Sequence, residues 1–367
     1  MHPADPGPSA GVRRLRPIRL GQWNGAVKTL STSVETAVAC AMPTLLDDAD
    51  DRLFIGSRPR QSQYNLPLER SSLDFISAAR VIGDKLVVAS PDDHVFFETY
   101  WSPANLNDGR LLRLIQADPP LAELRELPPT RQIDRAILLG NPMSGNYHHW
   151  IVNCLPRLRM RELHPQIADW PLIVQRPLNP FQRDSLAAIG IGEDRLVEFD
   201  NDICEVGQLA IPANGVFAPT ELRWVRDQIR SGLAIRPGKP RRIYISRADA
   251  SARQITNEPE VIQTLRRYGF EAIRFAGMSF REQVQAIADA EIIAGPHGAG
   301  LTNMIFADER LKVLEFHPAD EVNYCFWLMS GAMGQRYAFL SGAPANQRRD
   351  FIMDPGRLDG MLRKLFD

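Results

Sequence analysis

The chain has 367 residues, of which 44% are hydrophobic and 24% are charged, a composition ordinary for a globular protein. This length exceeds what a single core usually holds, so we expect two domains. The formal net charge of −1 excludes a general attraction to nucleic acid or anionic lipid, and any anionic ligand must therefore be held by local groups. No run of about 18 apolar residues is present, so no membrane-spanning helix is expected.

The N-terminal half is predicted to begin as a loose arm and to continue mainly in strands. Its first twenty residues are rich in Pro, Gly and Arg, and they lack the apolar stretch of a signal peptide. The predicted elements are two strands around Gly83-Asp84, a strand in the aromatic run 94–101, a short helix at 121–127, a strand at Arg135–Gly140, a strand at 171–175 and a helix from Asn179. The last three suggest a first α/β unit.

Strand and helix alternate clearly in the C-terminal half. The stretch Arg230–Arg242 is the best linker candidate because it holds two glycines and two prolines. After it, strands are predicted at 242–246, 270–275, 291–295, 312–316 and 336–341, with helices at 257–269, 279–290, 299–307 and 324–334 and a separate tail helix at 356–366. This pattern predicts a doubly wound parallel sheet.

A glycine-rich junction lies between a predicted strand and a predicted helix at Ala294–Ala307. Ligands of open parallel sheets bind at the carboxyl ends of strands, where such junctions lie. Gly295, Gly298 and Gly300 permit positive φ and close backbone approach, and the N–H groups of the next helix suit a phosphate or diphosphate. The spacing matches neither the dinucleotide fingerprint nor a P-loop. A tight turn beside a structural His297 remains the alternative.

Charged residues follow two other predicted strands of this sheet. Arg247 comes just after the strand at 242–246, and Arg253 follows six residues later. Two guanidinium groups facing the glycine-rich junction could neutralise a diphosphate, although both could also be solvated loop residues. Glu315 ends another strand and could accept the two hydroxyls of a ribose. A helix cap or an ion pair is the alternative role for this carboxylate.

A histidine pair in the N-terminal half follows the predicted strand at Arg135–Gly140. His148 and His149 precede Trp150, which suggests a general base beside an aromatic platform for a sugar. Metal binding is disfavoured because adjacent histidines point in different directions and no HxH, HxxxH or Cys partner is nearby. One core histidine and one surface histidine remain the plainest alternative.

Together these stretches resemble the family 61 glycosyltransferases, which include plant xylan-modifying enzymes and animal enzymes that transfer N-acetylglucosamine to protein. The matching pattern is "NYHHW…LPRL", "YISR…R…NE", "GPHGAGLTNMIFA" and "VLEF", within Arg135–Phe316. The resemblance implies α/β GT-B architecture, with two Rossmann-like domains facing a cleft, here with an extra β-rich N-terminal segment and a C-terminal helix. It also implies an inverting reaction without a bound metal or cofactor, with a UDP-sugar or similar donor as substrate and a glycan as acceptor.

Carried over by position, the resemblance divides the chain into an acceptor-side domain at 1–232, a nucleotide-sugar-binding domain at 233–345 and a tail at 346–367. The donor would be bound by Arg247, Arg253, Gly295, His297, Gly298, Ala299, Gly300, Asn303 and Glu315. The acceptor side would include Asn146 and Trp150, and the catalytic candidates are His149, His148 and Asn153. Similar sequences tend to have a carboxylate where Asn153 stands, and an amide cannot act as a base, so His149 or an acidic residue elsewhere must do so.

Other readings of the chain remain open. Asp48-Ala49-Asp50 nominally matches the DxD motif of metal-dependent transferases, but no α/β unit precedes it, and a solvated loop is favoured. Two alternative functions are a GT-B-like enzyme that cleaves or epimerises a nucleotide-sugar and a nucleotide-sugar-binding protein that has lost catalysis. The four cysteines form no CxxC pair, so we expect reduced thiols in a cytoplasmic protein, with association at the periphery of the inner membrane as a variant.

Overall fold

The structure, a computed structural model, describes residues 11–23, 27–31, 37–55, 63–67, 71–107, 110–115, 121–200, 202–213, 217–236, 238–320 and 322–366. The chain divides into two compact units that interleave along the sequence. The first unit comprises residues 1–34, 70–179 and 191–214, and the second comprises residues 35–69, 180–190 and 215–367. The predicted domain boundary at residue 232 stays a prediction.

Within the described residues, the strands are β1 (Val12–Ile18), β2 (Val27–Ser31), β3 (Ala37–Ala41), β4 (Thr44–Leu45), β5 (Gln63–Pro67), β6 (Ser72–Ile82), β7 (Val87–Ala89), β8 (His94–Phe96), β9 (Leu112–Ile115), β10 (Leu121–Arg125), β11 (Arg131–Leu138), β12 (Leu172–Gln175), β13 (Leu196–Phe199), β14 (Ile203–Ala213), β15 (Arg241–Ile245), β16 (Phe270–Ile273), β17 (Ala290–Pro296), β18 (Lys312–Pro318), β19 (Arg336–Pro344) and β20 (Phe351–Ile352). The α-helices are α1 (Asp48–Ile55), α2 (Phe97–Tyr100), α3 (Tyr147–His149), α4 (Met160–Leu163), α5 (Pro180–Ala188), α6 (Pro219–Gly232), α7 (Glu258–Arg266), α8 (Phe280–Ala288), α9 (Cys325–Met333) and α10 (Pro355–Phe366). The α/β class predicted from the sequence is confirmed.

The first unit is built on one mixed sheet. Its strand order is β13-β12-β11-β14-β6-β7-β8-β1-β10-β9, with β2 paired to β6. Strands β11 to β14 pair in parallel, whereas β14 pairs with β6 in antiparallel orientation. The residues Leu172–Val174 of β12 are all buried, as expected for a strand in the parallel part of a sheet. The carboxyl end of β11 leads directly into the segment that carries the histidine pair.

The second unit has a sheet with the order β16-β15-β17-β18-β19-β20, and β4 pairs with β19. Strands β15 to β19 are parallel. Helix α8 begins with the predicted capping box, in which Ser279 and Glu282 each bond to the other's backbone N–H. One core of the unit includes Tyr244, Leu314 and Leu358, so it joins the sheet to α10. The predicted strand–helix alternation from residue 241 onward is confirmed.

Helix α1 corrects the prediction of a solvated loop around the DxD-like sequence. The Asp47 side chain accepts hydrogen bonds from the backbone N–H groups of Ala49 and Asp50, which starts the helix. Asp50 is fully buried, accepts hydrogen bonds from the Ser341 N–H (3.0 Å) and hydroxyl (2.5 Å), and pairs with Arg357 at 3.0 Å. Asp50 therefore fastens α1 to β19 within the second unit.

Two further predictions in the N-terminal half are wrong. The segment predicted as a loose arm forms β1 from Val12 to Ile18, with Leu15 fully buried, while residues 1–10 lie outside the described part. The predicted helix at 121–127 is strand β10, in which Ala122 and Leu124 are buried and their neighbours are half-buried. That period-two pattern and the pairing with β1 and β9 override helix propensity.

The described helices include none that is both long enough and apolar enough to cross a membrane. All four cysteines are free thiols.

Candidate functional site

The second unit's sheet has a switch point at its centre. In chain order its parallel strands are arranged 2-1-3-4-5, so the direction of winding reverses between β15 and β17. Ligands of such sheets bind outside the carboxyl ends of the strands at the switch point. β15 ends at Ile245 and β17 ends at Pro296, which places the segments carrying Arg247 and Gly298 at this position.

Arg247 packs directly on the backbone of Gly298. A Cβ atom added to Gly298 would lie 1.8 Å from Nη1 and 2.5 Å from Cζ of Arg247. The guanidinium can occupy this place only because residue 298 has no Cβ, whereas the extended φ of 170° would itself accept any residue. Gly295 is required by a close approach too, since its Cβ would lie 2.9 Å from the Ile245 carbonyl oxygen. The expected positive φ at Gly295, Gly298 and Gly300 is not found.

Neither arginine of this region forms an ion pair with a carboxylate of the described residues. The Arg247 Nη2 donates to the Ala252 carbonyl at 3.2 Å, while its buried Nε has no partner. Burial lowers the pKa of Arg247, and the nearby charge of Arg253 lowers it further. The nearby charge of Asp249 only partly offsets the lowering of the Arg247 pKa. An anion would relieve both the desolvation of Arg247 and the repulsion between the two cations.

Arg253 is held by its backbone. It has a φ of 59°, and its N–H donates to the carbonyl of Arg348 at 3.1 Å. The next residue, Gln254, donates its N–H to Asp350 Oδ1 at 2.9 Å. The segment before β20 therefore fixes the loop that carries both arginines, a role that the sequence did not indicate.

A buried carboxylate lies behind the glycine loop. Glu315 has an exposed fraction of 0%, and its Oε1 lies 2.5 Å from Nδ1 of His297 and 3.0 Å from Nε2 of His317. Its Oε2 accepts a hydrogen bond from the Tyr337 hydroxyl at 2.5 Å. Burial raises the pKa of Glu315, but the two histidines more than offset this and lower that pKa to about 2.

These contacts correct the predicted role of Glu315. Both of its oxygens are engaged by the protein's own donors, so neither is available to the hydroxyls of a ribose. Asn303 is corrected for the same reason, because it is fully buried and donates to the Gly300 carbonyl at 3.1 Å. Ala299 and Gly300 are half-buried at the start of a 3₁₀ helix, Ala299–Phe306, where the sequence predicted an α-helix.

The histidine pair of the first unit lies in one irregular helical turn. Asn146 caps α3 by accepting the His148 backbone N–H at 2.9 Å, and α3 continues into a π-helical turn at Trp150–Cys154. Such turns within helices are frequent at functional sites. The Nδ1 of His149 lies 2.9 Å from Oδ1 of Asn153. With that oxygen as the acceptor, a neutral His149 ring would carry its hydrogen on Nδ1 and leave the Nε2 lone pair available.

Trp150 does not provide the predicted platform. Its exposed fraction is 0%, so its ring belongs to the core of the first unit and presents no face to a sugar. The ring of the half-buried Trp101 instead lies edge-on to His149, with centroids 5.8 Å apart. Trp101 has a positive φ of 61°, and no local pattern indicates its position beside His149.

Comparison with known proteins places these residues in a family. Residues 147–314 match the family Glycosyltransferase 61. That segment is therefore similar to glycosyltransferase 61 domains. It contains both arginines, the glycine loop and the histidine pair, and it ends one residue before Glu315.

Two curated relatives resemble parts of the chain. An EGF domain-specific O-linked N-acetylglucosamine transferase of Drosophila melanogaster is 28% identical over 102 residues, covering 27% of this chain and 19% of the relative. Beta-1,2-xylosyltransferase RCN11 of Oryza sativa subsp. japonica is 49% identical over 41 residues, covering 11% of this chain and 8% of the relative. The chain thus spans at most about a fifth of the length of these relatives.

The segment that matches Glycosyltransferase 61 also contains a buried arginine whose role the sequence did not predict. Arg157 is 7% exposed, and its Nη1 donates to the carbonyls of Leu138, Leu139 and Gly140 at 3.3, 3.3 and 3.0 Å. It thereby ties the helical segment to the carboxyl end of β11. The "LPRL" sequence is part of the family pattern, but nothing in it indicates this contact.

Proposed function

We propose that the protein is a glycosyltransferase that moves a sugar from a nucleoside-diphosphate donor, a UDP-sugar in our preferred form, to a hydroxyl group of a glycan. The observation that carries this proposal is the unpaired Arg247 guanidinium, seated on Gly298 at the switch point of a doubly wound sheet beside Arg253. The match of residues 147–314 to Glycosyltransferase 61 supports it, as do the transferase names of both relatives.

In this proposal, the two arginines and the N–H groups after Gly298 stabilise the negative charge that develops on the leaving diphosphate. These positive groups then replace the divalent cation that neutralises the diphosphate in transferases with a DxD motif. We therefore propose a metal-independent reaction. Asp50 cannot serve such a cation while Ser341 and Arg357 engage it. The finer assignments, namely GT-B architecture and inversion at the anomeric carbon, belong to the same proposal.

We assign the general base to His149. With Nδ1 bonded to Asn153, its Nε2 can accept the proton of an acceptor hydroxyl. Asn153 then orients the imidazole, as the asparagine does in Cys-His-Asn sites, and needs no proton affinity of its own. This assignment explains how an amide can stand at the position where the family resemblance implies a carboxylate.

A thermal-shift screen followed by product analysis tests the function. A nucleotide present at 100 times its dissociation constant stabilises the native state by about 2.7 kcal/mol. We expect a nucleoside diphosphate and its sugar to raise the melting temperature, and a glycan to receive the sugar. If only free sugar or an epimerised nucleotide-sugar forms, the enzyme cleaves or epimerises its donor. If a donor binds and no product of any kind forms, the protein is a binding protein.

A further inference from the structure

A cluster of two histidines, one glutamate and one tyrosine lies within the second unit, directly behind the glycine loop. His297, Glu315, His317 and Tyr337 are all nearly or fully buried, and they come from β18, β19 and the turn after β17. Glu315 and His317 are two residues apart on β18, so their side chains leave the same face of the sheet. The cluster has the donor set of a His₂Glu metal site.

The distances within the cluster favour a proton over a metal ion. Ligands bound to one zinc ion at about 2.0–2.1 Å in tetrahedral geometry lie about 3.3 Å from one another. The Nδ1 of His297 and Oε1 of Glu315 are only 2.5 Å apart, which is much closer than two ligands of one ion and within hydrogen-bonding distance. The Nε2 of His317 lies 3.0 Å from the same oxygen, but it is not aligned to donate a hydrogen bond. Glu315 therefore holds His297 more directly than His317.

The hydrogen bond between Nδ1 of His297 and Glu315 determines whether Nε2 of the same ring can donate a hydrogen bond. None of the described residues bonds to Nε2 of His297. In a neutral ring with its hydrogen on Nδ1, Nε2 would be an acceptor and would repel a phosphate oxygen. Only the imidazolium can donate from Nδ1 to the carboxylate and from Nε2 to an anion at once. A buried carboxylate that stays ionised also requires a cation beside it.

We propose that Glu315 is a positioning residue that holds His297 as an imidazolium, so that Nε2–H is presented to the diphosphate of the donor. Tyr337 completes this arrangement by donating to the second carboxylate oxygen, which keeps Glu315 ionised and fixed. His297 then adds a third positive group to Arg247 and Arg253. The identity of the anion rests on the proposed function, whereas the charge state of His297 does not.

Nitrogen-detected NMR of the histidine rings tests the charge state without any ligand. The chain has seven histidines, and a His297→Gln variant identifies the signals of His297. We expect both ring nitrogens of His297 to be protonated at neutral pH in the wild type, and only one in Glu315→Gln. The matched control is Asp50→Asn, which removes another fully buried carboxylate of the same unit and should leave the His297 signals unchanged.

Several outcomes would overturn the proposal. A neutral His297 in the wild type would do so, and this measurement needs no variant to fold. An unchanged His297 signal in folded Glu315→Gln would show that the carboxylate is merely structural. A stoichiometric metal ion in the purified wild type, lost in Glu315→Gln, would assign the cluster to metal binding.

Titration with uridine diphosphate then tests whether the imidazolium of His297 contributes to binding of the diphosphate. Removal of one charge-assisted contact should weaken binding to Glu315→Gln by about 10- to 100-fold, with Asp50→Asn close to the wild type. Equal affinities of Glu315→Gln and the wild type would reject the diphosphate role. If no nucleoside diphosphate binds the wild type, the proposed function fails, while the NMR result still decides the role of Glu315.

Discussion

The close contact between Gly298 and Arg247 makes Gly298→Ala a sensitive probe of the candidate donor site. The new Cβ would lie 1.8 Å from Arg247 Nη1, so the guanidinium must leave its place. The backbone itself can accept alanine, since a φ of 170° is extended, and the displaced atoms are the end of a flexible side chain. We therefore expect little change in the free energy of unfolding.

The affinity for a nucleoside diphosphate should fall by the contribution of the lost contact. One charge-assisted hydrogen bond contributes about 1.5–3 kcal/mol, which corresponds to a dissociation constant raised about 10- to 150-fold. The assay is calorimetric titration of uridine diphosphate, with urea unfolding measured in parallel. The matched control is Gly295→Ala, whose Cβ would meet the Ile245 carbonyl oxygen at 2.9 Å and should cost about 1–3 kcal/mol of stability.

A double-mutant cycle shows whether Gly298→Ala acts through Arg247. If it does, adding Gly298→Ala to Arg247→Ala should weaken binding no further, because the guanidinium is already gone. Additive losses would mean that the loop backbone, and not the arginine, determines affinity. Wild-type affinity in folded Gly298→Ala would refute the reasoning altogether.

Three further predictions concern the base, the metal and pH. His149→Ala should slow single-turnover transfer by about 10²–10⁴-fold with donor affinity little changed, and His148→Ala should be milder; a wild-type rate in His149→Ala would place the base elsewhere. Turnover should survive saturating EDTA, and an activity lost to chelator and restored by magnesium or manganese would contradict metal independence. The pKa of Glu315 is lowered from its ordinary value of 4.5 to about 2. Its ionised form therefore stabilises the fold fully above about pH 4.5, and this stabilisation is lost as the pH falls toward 2. Urea unfolding between about pH 4.5 and pH 2 should therefore show a steeper loss of stability in the wild type than in Glu315→Gln, and parallel curves would argue against this linkage.

The positions of the donor-site residues along the chain were predictable because local rules fix them. Arg247 and the Gly295–Gly300 loop each follow a strand of the same parallel sheet, and the ends of such strands lie at one edge. The capping box at Ser279 and Glu282 is also a local signal. Close backbone approach was expected for the glycines, but the group that approaches Gly298 could be identified only from the fold.

The predictions that failed depend on partners far away in the sequence. Asp50 contacts Ser341, which is 291 residues further along, and no local pattern distinguishes that buried carboxylate from a solvated one. Glu315 was predicted to end a strand, but β18 continues to Pro318, and the hydroxyl that engages Glu315 comes from Tyr337 on the neighbouring strand β19. Trp150 begins a π-helical turn whose five residues are all buried, and the sequence carries no signal for such a turn.

Calorimetry on two single variants shows whether Arg247 binds the diphosphate of a nucleotide donor. Arg363→Ala is the control, because Arg363 is a largely exposed arginine of the same unit that pairs with Asp359. Uridine diphosphate should bind the wild type and Arg363→Ala alike, and Arg247→Ala about 10- to 150-fold more weakly. Equal affinities of Arg247→Ala and the wild type would contradict the account.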